Sequence, residues 1–367
     1  MKIRCSLGLM LLLSALLAAC VQADPGPAPL VTAAPTQVPV SAATSTPQST
    51  VMPTSTPTPE VRQLTTGGCC VQPSWSPDSR QVVFVDRPAP DAPAGVYAVD
   101  IAIGLSQKPQ VIGRVGIYSP DRSLIANPEG AQTVVEKIST GDSWVIPNGG
   151  EALEFAPDNK HLAWEQEATT GPYDQRRNDL YLANIDGSDA VRITRVYGGG
   201  LVGWLPRGLK VVFLGRPSLE VHERTLTVLD LTTNIAADLV TAERISGVSI
   251  SNGGTWLAYF ITFNDDKSRD GIWIERTDGS QSRRLDLWGA YQWRDDSHLL
   301  VIPMRAASGV PFEVWEVDVA SGESRQLTDA ATTPLNILNG DWRVSPDGQS
   351  IVYVNSVDRN LWLLTIP

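Results

Sequence analysis

An all-β fold, a single seven-bladed β-propeller of four-stranded antiparallel blades, is what this 367-residue sequence predicts. Three observations predict it. A unit of one aromatic residue, a turn and a short apolar strand recurs at blade-like intervals. The following strands are β-branched and aromatic and joined by Gly-containing turns, with no helical periodicity sustained over a dozen residues of the body. The first strand of the body also repeats four residues of a late one, which lets it complete the last blade.

The unit appears as Trp75-Ser76-Pro77-Asp78 before Val82-Val83-Phe84-Val85, and as Tyr118-Ser119-Pro120-Asp121 before Leu124-Ile125-Ala126. It returns as Phe155-Ala156-Pro157-Asp158 and, at the end, as Val344-Ser345-Pro346-Asp347-Gly348; looser copies start at Trp204, Ile250 and Trp293. At the turn proline or its replacement (77, 120, 157, 206, 252, 295, 346) the spacings are 43, 37, 49, 46, 43 and 51. A four-stranded blade takes about 40–50 residues. Pro sets φ for the turn, Asp bonds its own downstream amide, and Gly accepts positive φ. A second strand follows at 96–100, 180–182, 226–230, 272–274, 314–318 and 361–364, and hairpin turns lie at Asp186-Gly187, Asp278-Gly279 and Ser321-Gly322.

The last unit stops at Pro367 after its third strand. Residues 61–65 (Val61-Arg62-Gln63-Leu64-Thr65) carry the Arg-Gln-Leu-Thr of 325–328. They are therefore expected to supply the missing strand, and closing the ring would remove free sheet edges. These residues resemble the TolB-like (WD40-like) propeller repeats, whose hallmark is W-S-P-D-G, an apolar strand, an aromatic-bearing strand, then R-Q-L-T. The resemblance covers nearly all of 61–367, with departures at Trp204-Leu205-Pro206-Arg207, Asn252-Gly253-Gly254 and Arg294-Asp295-Asp296. It speaks for the fold and little for function. TolB itself carries an extra α/β domain before a six-bladed propeller, so its partners do not carry over.

The first twenty residues read as an export address. Lys2 and Arg4 precede an apolar run, 9–18, too short for a hydrocarbon core that needs about 20 residues. The run ends in Leu17-Ala18-Ala19-Cys20, which resembles the lipobox of bacterial lipoproteins. The resemblance implies cleavage after residue 19, lipidation of Cys20 and an extracytoplasmic location at the cell membrane or outer membrane. Residues 21–60 hold nine Pro and eight Thr, no aromatic residue, and only Asp24 and Glu60 as charges. Such a segment cannot bury enough apolar surface to fold, and 20–60 reads as a tether between the 1–19 leader and the 61–367 propeller.

Formal charge is −11, or −13 once Lys2 and Arg4 leave with the leader. An acidic chain without a basic stripe repels phosphate backbones, which excludes nucleic acid as a partner. A peptidase of the kind that pairs a propeller with an α/β-hydrolase needs G-x-S-x-G; Ser143, Ser188 and Ser249 lack the flanking glycines. Some propeller lyases hold a metal through several His. Only His161, His222 and His298 occur here, and His161 and His298 start strands on nearly opposite blades, so no metal or cofactor is implied. Asp265, Asp266 and Asp270 share a loop but miss the EF-hand spacing. Trp75, Trp204, Trp293 and Trp342 repeat one strand position, as packing between blades requires.

Two features point to function. Cys69 and Cys70 are the only thiols besides Cys5 and Cys20, and in an oxidising compartment they could form a strained vicinal disulfide. Long loops at 86–95, 165–179, 215–224, 264–271 and 305–312 share one rim, which carries Tyr173, Asp174, Arg176, Arg177, Glu223, Arg224, Asp265 and Asp266. The reading is a monomeric, membrane-anchored, non-catalytic scaffold for a protein, peptide or cell-wall glycan. The alternative is a carbohydrate-active or metal-dependent propeller lyase or hydrolase.

Overall fold

The computed structural model describes residues 59–68, 71–87, 94–168, 171–304 and 310–367. The leader, Cys20, nearly all of the tether, and the Cys69–Cys70 pair lie outside the described residues. Every regular element among those residues is a β-strand apart from three single-turn 3₁₀ segments.

The Ser-Pro-Asp units fold as expected from their chemistry. Ser76 Oγ donates to Asp78 at 2.6 Å and accepts from the Gln81 amide at 2.9 Å. Ser119 with Asp121 and Ser345 with Asp347 repeat both bonds. The chain then turns through a left-handed residue at Ser79, Arg122, Asn159 or Gly348 before the next strand begins.

The strands form five separate four-stranded antiparallel sheets and one sheet of seven strands. The expectation of seven four-stranded blades is thereby corrected: five such sheets stand alone, and residues 153–242 form one continuous sheet. The cause is the 14-residue strand Val191–Trp204. Its first half pairs with Arg177–Asn184 and its second half with Lys210–Arg216, so no break separates the two repeat units. The register shifts between Tyr197 and Gly200 and between Leu201 and Gly203. Gly198 and Gly203 have positive φ there, which lets the strand bend without leaving the ladder.

At the other end, Glu60–Gln63 pairs antiparallel with Leu361–Thr365, from Glu60 opposite Thr365 to Gln63 opposite Trp362. The pairing strand starts one residue earlier than 61–65 and ends at Gln63. Leu64 and Thr65 continue the contact, since the Leu64 amide donates to Leu361 O at 2.8 Å and Thr65 Oγ1 accepts from the Leu361 amide at 2.9 Å. Leu327 and Thr328 make the same two bonds to Val314, both at 2.8 Å. Gln63 and Gln326 each donate to the carbonyl two residues on. The four shared residues thus repeat one local structure.

The core lies between neighbouring sheets rather than within one. Leu64, Trp75, Val82 and Phe84 pack on Val352, Val354 and Leu363, joining the first and last parts of the body. Trp75, Trp293 and Trp342 are buried, and Trp204 is half-buried. Trp75 and Trp293 donate their indole N–H to Arg343 O and Ser249 O on the neighbouring sheet, so each ties two sheets together as packing residues should.

Candidate functional site

The bent stretch of Val191–Trp204 lines a pocket of about 890 Å³. Gly199, Gly200, Leu201 and Val202 form one wall, the segment from Glu243 to Val248 another, and Tyr173, Asp174 and His222 come from the loops. Two polar side chains reach across to the glycine stretch. Glu165 Oε2 accepts from the Leu201 amide at 2.9 Å, and Asn178 Nδ2 donates to Gly199 O at 2.6 Å. A Cβ at Gly200 would stand 1.9 Å from Glu165 Oε2, so any side chain there would displace the Glu165 carboxylate.

Glu165 and Asn178 come from strand ends. His161–Glu167 pairs with Arg177–Asn184, Glu165 opposite Leu180 and Glu167 opposite Asn178. Because paired residues share a sheet face, both side chains project to the side over which the glycine stretch passes. Asn178 is only 8% exposed, and its Oδ1 is buried with no hydrogen-bond partner among the described residues. Glu154, on Leu153–Phe155, stands behind the same stretch: a Cβ on Gly203 would lie 3.6 Å from its Oε2. Burial, then repulsion by Glu165, pushes the Glu154 carboxyl up to about 7. Burial also raises Glu165 against the opposing Leu201 bond, with Glu151 and Glu167 adding like charge.

The cations of the pocket are already engaged. Arg224 is bonded to the Asp174 carboxylate and lies 5.8 Å from the Tyr173 ring centre, while Arg216 donates to Asp174 O. The Nε atoms of both arginines are buried without a hydrogen-bond partner among the described residues. Arg244 stacks over Phe263 at 5.1 Å.

Of the rim residues named from the sequence, Tyr173, Asp174 and Arg224 line this pocket. Arg176 braces the loop, pairing with Glu167 at 3.1 Å and donating to Gly171 O at 2.8 Å. Arg177 begins a strand instead of lying in a loop, and it does not line the pocket. Glu223, Asp265 and Asp266 do not line it either; Asp266 instead caps the short turn Lys267–Arg269 by accepting from the Ser268 amide at 3.0 Å. Sequence reasoning missed Glu165, Asn178, Arg216 and the glycine stretch as site residues. The available signal was Gly198-Gly199-Gly200 inside an otherwise β-rich run.

His161 pairs with Asp158 at 2.7 Å and His298 with Asp295 at 3.0 Å, each at a turn, whereas His222 reaches the pocket. Among the described residues, no three His, Cys, Asp or Glu side chains are grouped to hold a metal ion.

No protein-family model matches this chain, and no curated protein does. Solved structures do. An oligogalacturonate lyase in complex with manganese is 16% identical over 86% of this chain and 94% of its own, with a TM-score of 0.56. Oligogalacturonate lyase from Vibrio parahaemolyticus is 12% identical over 84% and 93%, with a TM-score of 0.57. A putative TolB from Agrobacterium tumefaciens is 16% identical over 71% and 95%, with a TM-score of 0.42. At such identities a likeness shows the fold alone: the chain is an all-β propeller.

Proposed function

We propose that this chain is an envelope-anchored lipoprotein whose propeller is a non-catalytic binding scaffold for a peptide, a protein segment or a cell-wall glycan. The anchor rests on Leu17-Ala18-Ala19-Cys20, and two or more acyl chains hold a protein stably at a membrane. One observation carries the binding role. The 890 Å³ pocket is walled by an invading glycine stretch and lined by polar residues, among them Asn178, whose buried Oδ1 has no hydrogen-bond partner among the described residues. A buried polar atom without a partner costs stability, so a site that keeps one is shaped by something other than folding.

Ser246 is exposed on the pocket wall, so Ser246→Trp fills the pocket without touching the core. The wild-type chain should retain peptide, protein or glycan from an envelope extract, and the variant should retain at most about a tenth as much. Equal retention by both would remove the pocket from the account. A second reading, a carbohydrate-active enzyme, has one observation in its favour: a pair of acidic side chains raised in pKa, within a fold shared with oligogalacturonate lyases. Turnover of oligogalacturonate by the wild-type chain, lost in Glu165→Gln, would replace the scaffold reading.

A further inference from the structure

We infer that the cleft between the sheet of residues 71–113 and the sheet of residues 117–146 binds a fatty carboxylate, with its chain between the sheets and its head on Arg122. This site is separate from the pocket beside the glycine stretch and stands or falls without it.

Each of these two sheets shares an apolar core with its other neighbour. Val82 and Phe84 pack with Val352 and Val354 of the last sheet, and Leu124 and Ala126 with Leu153 and Leu162 of the next one. Val83, Val85 and Ile125 alternate with those residues along their strands, so they point to the opposite faces, which look at each other. There, among the described residues, Val83 and Ile125 belong to no shared apolar core. With Val85, Val96, Ile112 and Ile138 they line a cleft of about 480 Å³, within the range of about 300–1,000 Å³ of small-molecule sites. Ile112 and Ile138 are 44% and 45% exposed, so the apolar wall runs out to solvent. Apolar surface left facing water is unfavourable in proportion to its area, and a gap of this kind is relieved by an apolar guest.

The polar groups of the cleft select the head of that guest. Ser74 Oγ donates to Val83 O at 3.2 Å and Tyr118 Oη to Arg114 O at 2.7 Å, so both hydroxyl protons are spent on the walls themselves. Among the described residues no Asp or Glu lines the cleft. Arg114 pairs with Glu136 at 2.5 Å. Arg122 also lines the cleft, and its exposed guanidinium has no hydrogen bond or ion pair among the described residues. It stands at φ +57°, the left-handed turn position that Ser79, Asn159 and Gly348 hold in the other turns, where a long cation does nothing for the turn. A peptide or a sugar needs several donors and acceptors, which these walls do not offer. A fatty carboxylate needs apolar walls and one unpaired cation.

Titration calorimetry of the full chain with decanoate and decanol as probes tests this. Decanoate should bind, and decanol about ten-fold more weakly, because it lacks the charge-assisted pair with Arg122. Arg122→Asn removes the cation and keeps a residue that accepts positive φ, so the variant should fold and bind the two probes alike. Val85 is half-buried on a strand of the cleft wall, a position that takes an aromatic residue well, so Val85→Phe should fill the cleft and weaken both probes about ten-fold. Ser246→Trp fills the other pocket and should leave decanoate binding unchanged. No binding of decanoate, equal binding of decanol by the wild-type chain, or a preference that survives Arg122→Asn would each overturn the inference. Decanoate binding lost in Ser246→Trp and kept in Val85→Phe would overturn it too, by moving the ligand out of this cleft.

Discussion

Deleting residues 60–65 is expected to lower the stability of the propeller by on the order of 5 kcal/mol and its thermal midpoint by roughly 10 °C. Leu64 is 1% exposed and packs on Trp75, Phe84 and Leu363, and losing a buried leucine costs about 2–5 kcal/mol. The four-residue pairing with Leu361–Thr365 goes too, together with the bonds of Leu64 and Thr65 to Leu361, each worth roughly 1 kcal/mol net. Arg62, which donates to Ile101 O, would no longer link this strand to the neighbouring sheet. The deletion also leaves Leu361–Thr365 as an open edge, a template for pairing with another chain. Thermal unfolding followed by circular dichroism, with size-exclusion chromatography of the same samples, reads both effects. An unchanged midpoint and an unchanged elution volume would mean that the strand does not hold the two ends together.

Gly199→Ala should be as damaging, for a different reason. A Cβ at that position would stand 2.0 Å from Leu214 O and 2.7 Å from the Gly215 Cα, both backbone atoms that no rotamer change can move aside. The strand Val191–Trp204 would have to lift from Lys210–Arg216, breaking the seven-stranded sheet at its bend. Overpacking of this kind costs about 3 kcal/mol or more. Gly130→Ala is the comparison that isolates the cause. Gly130 has φ +65° but open space around its missing Cβ, so only backbone strain of about 1–2 kcal/mol is expected. Urea unfolding of the two variants should rank them in that order. Equal losses would mean that backbone conformation, and not the close approach of two strands, decides why glycine stands at 199.

The fold was legible wherever a residue does one local job in every repeat. Ser76, Ser119 and Ser345 make the same pair of bonds to turn and strand, so a Ser-Pro-Asp motif reads directly as a hairpin. Closure was legible for the same reason, since Gln63, Leu64 and Thr65 bond as Gln326, Leu327 and Thr328 do. The fusion of residues 153–242 into one sheet was not. A repeat count assumes that each unit ends, and Gly198-Gly199-Gly200 looks like a linker in sequence although it keeps the ladder. Pocket residues were half legible. Tyr173, Asp174 and Arg224 were found because loops attract attention, while Glu165 and Asn178 were passed over at polar strand ends that lack β-propensity. Only the cross-strand register puts Glu165 and Asn178 on one face, and register depends on partners distant in sequence.

Amide hydrogen exchange along the full chain, with and without the material it retains from an envelope extract, tests the binding pocket most directly. Bound material should slow exchange at residues 199–202 and 244–248, which wall the pocket, and leave the Glu60–Gln63 pairing unchanged. Protection appearing only at other surfaces, with those two segments exchanging as before, would contradict the placement of the ligand.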